Sequence, residues 1–142
     1  MSRFIAIDWG EKYIGLAISD PLGIIAQGLD VWEREDDDIF LKKLSELIEK
    51  YDVKGIVIGF PISLKGHENE KTEKVKKIAK KIKDSLKIPV FLEDERFTTI
   101  EAEKILIDGN MRRDKRKIIK NKQAAVIILE KFLSSVNLDT LE

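Results

Sequence analysis

Cysteine is absent from the 142 residues, histidine occurs once and proline three times. Without a thiol there is no disulfide, no thiolate nucleophile and no cysteine-ligated zinc, and a reducing compartment is compatible with the chain. His67, the single imidazole, stands beside Gly66 with no second His or Cys to join it, so it cannot anchor a transition-metal site and a surface role is expected. An excess of one charge is missing too. The 26 basic residues cancel the 26 acidic ones, so any attraction to a polyanion must come from where the charges sit. No run approaches the ~18 apolar residues needed to cross a bilayer. The sequence enters a strand-like segment at once, without the basic, apolar and small-residue blocks of a secretory leader, and a cytoplasmic protein with no membrane partner is expected. Linkers, repeats and low-complexity tracts are also lacking, and a chain of this size buries roughly two thirds of its unfolded surface. Residues 1–142 therefore read as a single domain.

What is present is a regular succession of apolar patterns. Phe4 to Asp8 (FIAID) and Ile14 to Ser19 (IGLAIS) are short apolar runs joined by a turn at Gly10, and Ile24 to Trp32 follows Gly23 as a third. Together they predict an antiparallel meander. From Asp38 onward Ile39, Phe40, Leu44, Leu47 and Ile48 recur at helical spacing. Gly55 to Gly59 (GIVIG) predicts a buried strand that stops at Pro61, and Ser63 to Asn69 is a polar loop. Lys71 to Leu86 predicts an amphipathic helix, and Pro89 to Leu92 (PVFL) a fifth strand. Thr99 to Ile107 predicts a short helix closed near Gly109. Asp114 is the expected N-cap of a last helix running to about Ser134, whose Ala124 to Leu129 segment is apolar nearly all round. The sum is a five-stranded mixed α/β sheet, a three-strand antiparallel meander plus two parallel strands, flanked by helices. The RNase H-like fold has this order, whereas a doubly wound Rossmann domain lacks the opening meander.

Three groups of residues could carry chemistry. Asp8 ends the first run within D-W-G-E-K-Y-I-G. A carboxylate at a rigid strand end, beside glycine backbone (Gly10, Gly15 and, on the fourth strand, Gly59) that a phosphate can approach, suits a hard divalent cation. An ordinary turn aspartate is the competing role, and the same spacing occurs in actin-like ATPases. Glu93, Asp94 and Glu95 stand together at the end of the fifth strand, followed by Arg96. Three adjacent carboxylates repel one another unless a cation, Arg96 or a metal, lies among them. An acidic first turn capped by Thr98 accounts for one of them at most. Arg112, Arg113, Lys115, Arg116, Lys117, Lys120 and Lys122 crowd one segment, with only Asp114 opposing. Such a cluster is either a phosphate-backbone contact or a solvated charged face. Trp9, next to Asp8, is expected to pack against the sheet rather than to stack on a base.

The stretches IAIDWGEKYIGLAISDP, IVIGFPISLKG, VFLEDERFTTIEAE and NKQAAVIILEKFL, in unbroken order from Phe4 to Leu133, resemble the YqgF/RuvX family of Holliday junction resolvases and pre-16S ribosomal RNA nucleases. The resemblance implies an RNase H-like nuclease whose catalytic residues fall on Asp8, Glu95 and Asn121. It implies Mg²⁺ or Mn²⁺ held by Asp8, Glu95 and Asp94, and Arg96, Arg112, Arg113, Lys115, Arg116, Lys117 and Lys120 as contacts to nucleic acid. The expected partner is branched DNA or precursor rRNA, and a two-fold junction would suit a homodimer. At Asn121 the chain departs from the family pattern, which has an aspartate there. Asn offers a hard cation an oxygen but no charge. A nucleic-acid-binding protein that has lost cleavage is therefore a rival reading. An actin-like ATPase is a weaker one, because that fold clasps nucleotide between two domains.

Overall fold

The computed structural model describes residues 3–61, 70–94 and 113–141, with side chains over 115–136 in the last stretch. Strands β1 (Arg3–Trp9), β2 (Tyr13–Ser19) and β3 (Ala26–Glu33) are followed by helix α1 (Asp37–Tyr51), β4 (Val53–Phe60), α2 (Glu70–Leu86), β5 (Val90–Asp94) and a long helix α3 (Arg113–Leu141). The strands form one sheet in the order β3-β2-β1-β4-β5. The β3–β2 and β2–β1 pairs are antiparallel, and the β1–β4 and β4–β5 pairs are parallel. This is the mixed sheet expected from the sequence. No helix among the described residues is long and apolar enough to cross a membrane.

Several boundaries differ from the sequence pattern for local reasons. β3 begins at Ala26 rather than Ile24, because the Asp20 carboxylate accepts from the Ile24 and Ile25 N–H groups at 2.7 and 3.0 Å and holds them in the turn. α1 begins a residue earlier than expected, with the Asp36 carboxylate accepting from the Ile39 N–H at 3.0 Å as its cap. Asp114 is not the cap of α3. Its backbone is already helical, the helix starting at Arg113 and running on to Leu141. β5 extends to Asp94, which carries two of the three clustered carboxylates into the sheet. The polar loop at 63–69 and the short helix at 99–107 lie outside the described residues.

Alternation along the strands gives the sheet two unlike faces. On one, Ile5, Ile7, Ile14, Leu16, Ile18, Ile56 and Ile58 form a bulky carpet under α1 and α2, joined by Phe40, Leu44, Val75, Ile78 and Ile82. On the other, Ala6, Ala17 and Val57 meet Ala125, Ile128, Leu129, Phe132 and Leu133 of α3. The small residues let α3 lie close. A Cβ on Gly15 would stand 2.0 Å from the Asn121 carbonyl oxygen, and one on Gly28 would stand 2.7 Å from the Lys122 stem. Far along α3, Phe132 meets Phe4 and Phe91 with ring centroids 5.1 Å away in both cases. The helix thus spans from the β1–β2 turn to the opposite end of the sheet.

Candidate functional site

Asp8 follows Ala6 by two residues on β1, so it faces α3 from the C-terminal end of the central strand, half-buried. It pairs with Gly15 on β2, and on its other side β4 runs one step beyond the Ile7–Ile58 pair to Gly59. Gly59 is in turn paired with Glu93 on β5. Phe91 touches Phe132 of α3, so Glu93, two residues on, shares the face of Asp8. Across β1, β4 and β5 the row therefore reads carboxylate, glycine, carboxylate. Two strand spacings put the outer Cα atoms roughly 10 Å apart, with no side chain between them.

Asp94 goes the other way. Val90 packs on the α1/α2 side, and Leu92 and Asp94 follow it by twos, so within β5 it is Glu93 rather than Asp94 that the structure brings to the Asp8 face. The alternation thus places Asp94, expected as a metal ligand with Asp8 and Glu95, on the opposite face of β5 from Glu93. The Glu93 signal was present in the sequence, since the same period that puts Phe91 against a helix puts Glu93 there. Burial pushes the Glu93 carboxyl above the usual carboxylate range; Lys131 of α3 pulls it back, and the Asp94 charge adds to the rise. Glu95, Arg96 and Arg112 lie outside the described residues.

Asn121 reaches the same neighbourhood from α3. Its Nδ2 lies 3.7 Å from where a Gly10 Cβ would be, and its backbone rests on Gly15 beside Asp8. The glycines thus have particular tasks. Gly10 closes the turn, donating its N–H to the Tyr13 carbonyl at 3.1 Å, and a Cβ there would meet that oxygen at 2.3 Å. Gly15 is covered by helix backbone, so its missing side chain serves close packing and not approach by a phosphate. Gly59 is buried and forms the floor between the two carboxylates.

Of the basic cluster, Lys115, Arg116 and Lys117 are exposed and Lys120 is half-buried on the first turns of α3, leading to Asn121. Arg113 contributes its backbone to the helix start. Lys122 lies along β3 at Gly28. Trp9 faces the α1/α2 side, away from Asp8, edge-on to Phe40 at 4.9 Å, as its expected packing role requires. The donors on the Asp8 face are carboxylate and amide oxygens, a set that fits a hard cation such as Mg²⁺ or Mn²⁺ and not a soft one. Among the described residues no three His, Cys, Asp or Glu side chains converge on a metal position.

A mixed five-stranded sheet carrying an aspartate at the end of its central strand, with a long helix laid over it, is the arrangement of the RNase H-like class of folds. Solved structures share this fold: Thermus thermophilus RuvC in complex with a Holliday junction substrate (TM-score 0.57, 10% identity, 96% of each chain covered). Fowlpox virus resolvase with Holliday junction DNA is another (TM-score 0.53, 12% identity, 94% of this chain and 98% of that one). Within the class, residues 2–135 match the model of the family described as "RuvX: Holliday junction resolvase", and the chain belongs to that family. Relatives named "Putative pre-16S rRNA nuclease" include one from Dictyoglomus turgidum, 61% identical over 97% of this chain and 98% of its own length. Another, from Clostridium acetobutylicum, is 40% identical over 94% of this chain and 99% of its own.

Proposed function

We propose that the chain is a metal-dependent endonuclease that hydrolyses phosphodiester bonds in structured nucleic acid, either precursor 16S rRNA or a four-way DNA junction, in the cytoplasm. The observation that carries this is the placement of Asp8. It ends the central strand on the face that α3 covers, with Asn121 beside it and Glu93 across the bare floor of Gly59. Asp8 and Glu95 would hold Mg²⁺ or Mn²⁺, with the Asn121 side chain supplying a neutral oxygen. When bound, such a cation acidifies a water and offsets charge on the scissile phosphate. The chain's own part is to orient and to bind. Gly10 and Gly15 fix Asn121 against β1 and β2, and the Lys115–Lys120 segment attracts the backbone without reading sequence. A pair of copies related by a two-fold axis would match a symmetric junction.

The test is a cleavage panel of four-way junctions, plain duplex, single strands and precursor 16S rRNA, each with Mg²⁺ and with Mn²⁺. Metal-dependent cutting of a junction or of the precursor is expected. The second reading, a nucleic-acid binder of the same fold, is favoured by Asn121 where the family pattern has a carboxylate. It predicts binding across the panel with no cleavage under either ion.

A further inference from the structure

On the face of the sheet away from Asp8, a cleft of about 450 Å³ opens between the start of α1 and the length of α2. Its walls carry five cations, Arg34, Lys74, Lys77, Lys80 and Lys81, against two carboxylates, Asp37 and Asp84, a surplus of three positive charges in a chain whose net charge is zero. Lys81 is spoken for by Asp37 at 2.6 Å. Lys74, Lys77 and Lys80 form no ion pair among the described residues. Lysines on an amphipathic helix are ordinarily just its wet side. Here a second feature accompanies them. Trp9 lines the same cleft, and its indole N–H is buried without a hydrogen-bond acceptor among the described residues. Buried donors are almost always paired, so an orphan beside spare cations marks a place where an acceptor belongs.

Arg34 joins the two features. Its guanidinium lies over the Trp9 ring at 4.5 Å from the centroid. One of its nitrogens donates to the Gly10 carbonyl at 3.4 Å, leaving other N–H groups of the five unused. Lysine and arginine donors lining one cleft beside an unpaired indole N–H, with few opposing carboxylates, suit an oxyanion with several acceptor oxygens. We propose that the α1/α2 cleft is a phosphate site, taking the phosphate of a nucleotide or of a nucleic-acid strand. It is separate from the Asp8 face. The strand source rests on the nuclease reading above, and the nucleotide source does not.

The experiment follows the indole N–H signals of the ¹⁵N-labelled full chain, the Trp9 signal being the one that disappears in Trp9→Phe. The protein is titrated with inorganic phosphate, with AMP and with a 12-nucleotide single strand, metal being omitted so that nothing is cut. A saturable shift of the Trp9 signal is expected. Tighter binding of AMP than of the strand assigns the site to nucleotides, and the reverse assigns it to strands. Trp9→Phe, which keeps an aromatic ring of smaller size and removes the donor, should weaken binding about 10-fold, as loss of a hydrogen bond to a charged partner does. Lys74→Gln with Lys77→Gln, both on exposed positions, should weaken it several-fold and make it less salt-sensitive. No saturable shift with any of the three ligands overturns the proposal. So does a lysine effect with Trp9→Phe binding as tightly as the parent, which would make the cleft a diffuse charged surface. Should Trp9→Phe not fold, Trp32→Phe leaves the Trp9 signal as the one remaining indole, and its shift and the lysine pair decide. Cleavage in the panel is a separate readout, so failure here and failure of the nuclease reading are distinguishable.

Discussion

Gly15→Ala is the substitution whose consequence can be worked most directly from the packing of α3. The added methyl would stand 2.0 Å from the Asn121 carbonyl oxygen, 2.4 Å from its carbonyl carbon and 3.1 Å from the Lys122 nitrogen. All three are backbone atoms of a helix, so no side chain can rotate away. Restoring an ordinary contact of 3.4 Å requires α3 to retreat by about 1.4 Å at this point. That loosens the packing of Ala125, Ile128 and Leu129 against Ala6, Ala17 and Val57. Overpacking of this kind costs about 1–3 kcal/mol. For a chain of this length that corresponds to a fall in Tm of roughly 3–15 °C. Because Asn121 would move with the helix, cleavage should fall more steeply than stability, by about 100-fold for a shift near 1 Å. Gly28→Ala is the control. The three atoms nearest its methyl all belong to the flexible Lys122 stem, the closest at 2.7 Å, which can swing aside, so Tm should change little and cleavage should persist. The assays are thermal melting and the junction and precursor panel. If Gly15→Ala melts and cuts like the parent, α3 does not rest on β2 at Gly15 and Asn121 is not fixed beside Asp8.

Asn121→Asp adds a carboxylate to the face that holds Asp8 and Glu93, so it should lower Tm in EDTA, raise the Mn²⁺-induced gain in Tm, and increase cleavage; absence of all three would remove Asn121 from the site. Replacing Lys115, Arg116, Lys117 and Lys120 with Gln should weaken nucleic-acid binding evenly across sequences and reduce the slope of log K against log salt by roughly 0.7–0.9 for each phosphate that is no longer neutralised. An unchanged slope would make the cluster a solvated helix face. Burial raises the Glu93 carboxyl, so the folded chain holds that proton more tightly than the unfolded one. Its stabilising share is complete below the ordinary glutamate pKa of about 4.3 and is lost as pH rises through the folded value. Glu93→Gln should therefore melt higher than the parent at pH 7.5 in EDTA, with the gap closing towards pH 4; a lower Tm at pH 7.5 would show that Lys131 outweighs burial.

The strands and helices were legible because their apolar periods are clean: FIAID, IGLAIS and GIVIG leave little choice, and Val75, Ile78 and Ile82 define one face of α2. The face of Asp8 was legible too, since it follows Ala6 by two residues. What the sequence did not carry was the partner of each feature. A strand glycine signals a close approach without saying that α3 backbone makes it at Gly15. The Asp20 side chain that delays β3 competes locally with the ladder, an effect that hydropathy does not register. Three adjacent carboxylates read as one cluster, yet the pleat sends Glu93 and Asp94 to opposite faces. The α1/α2 cleft draws on Trp9, Arg34 and residues 74–85, distant in sequence, and its lysines by themselves resemble any solvated helix.

The placement of Asp8 is tested most directly by Asp8→Asn, compared with the parent in the same cleavage panel under Mg²⁺ and Mn²⁺. The substitution keeps the shape of the side chain and removes its charge. The expected result is loss of metal-dependent cleavage with melting in EDTA within a few degrees of the parent, because the amide keeps the shape of the half-buried side chain. If Asp8→Asn cuts precursor rRNA or junctions as fast as the parent, the end of β1 is not the catalytic centre and the α3 face of the sheet is not a nuclease site.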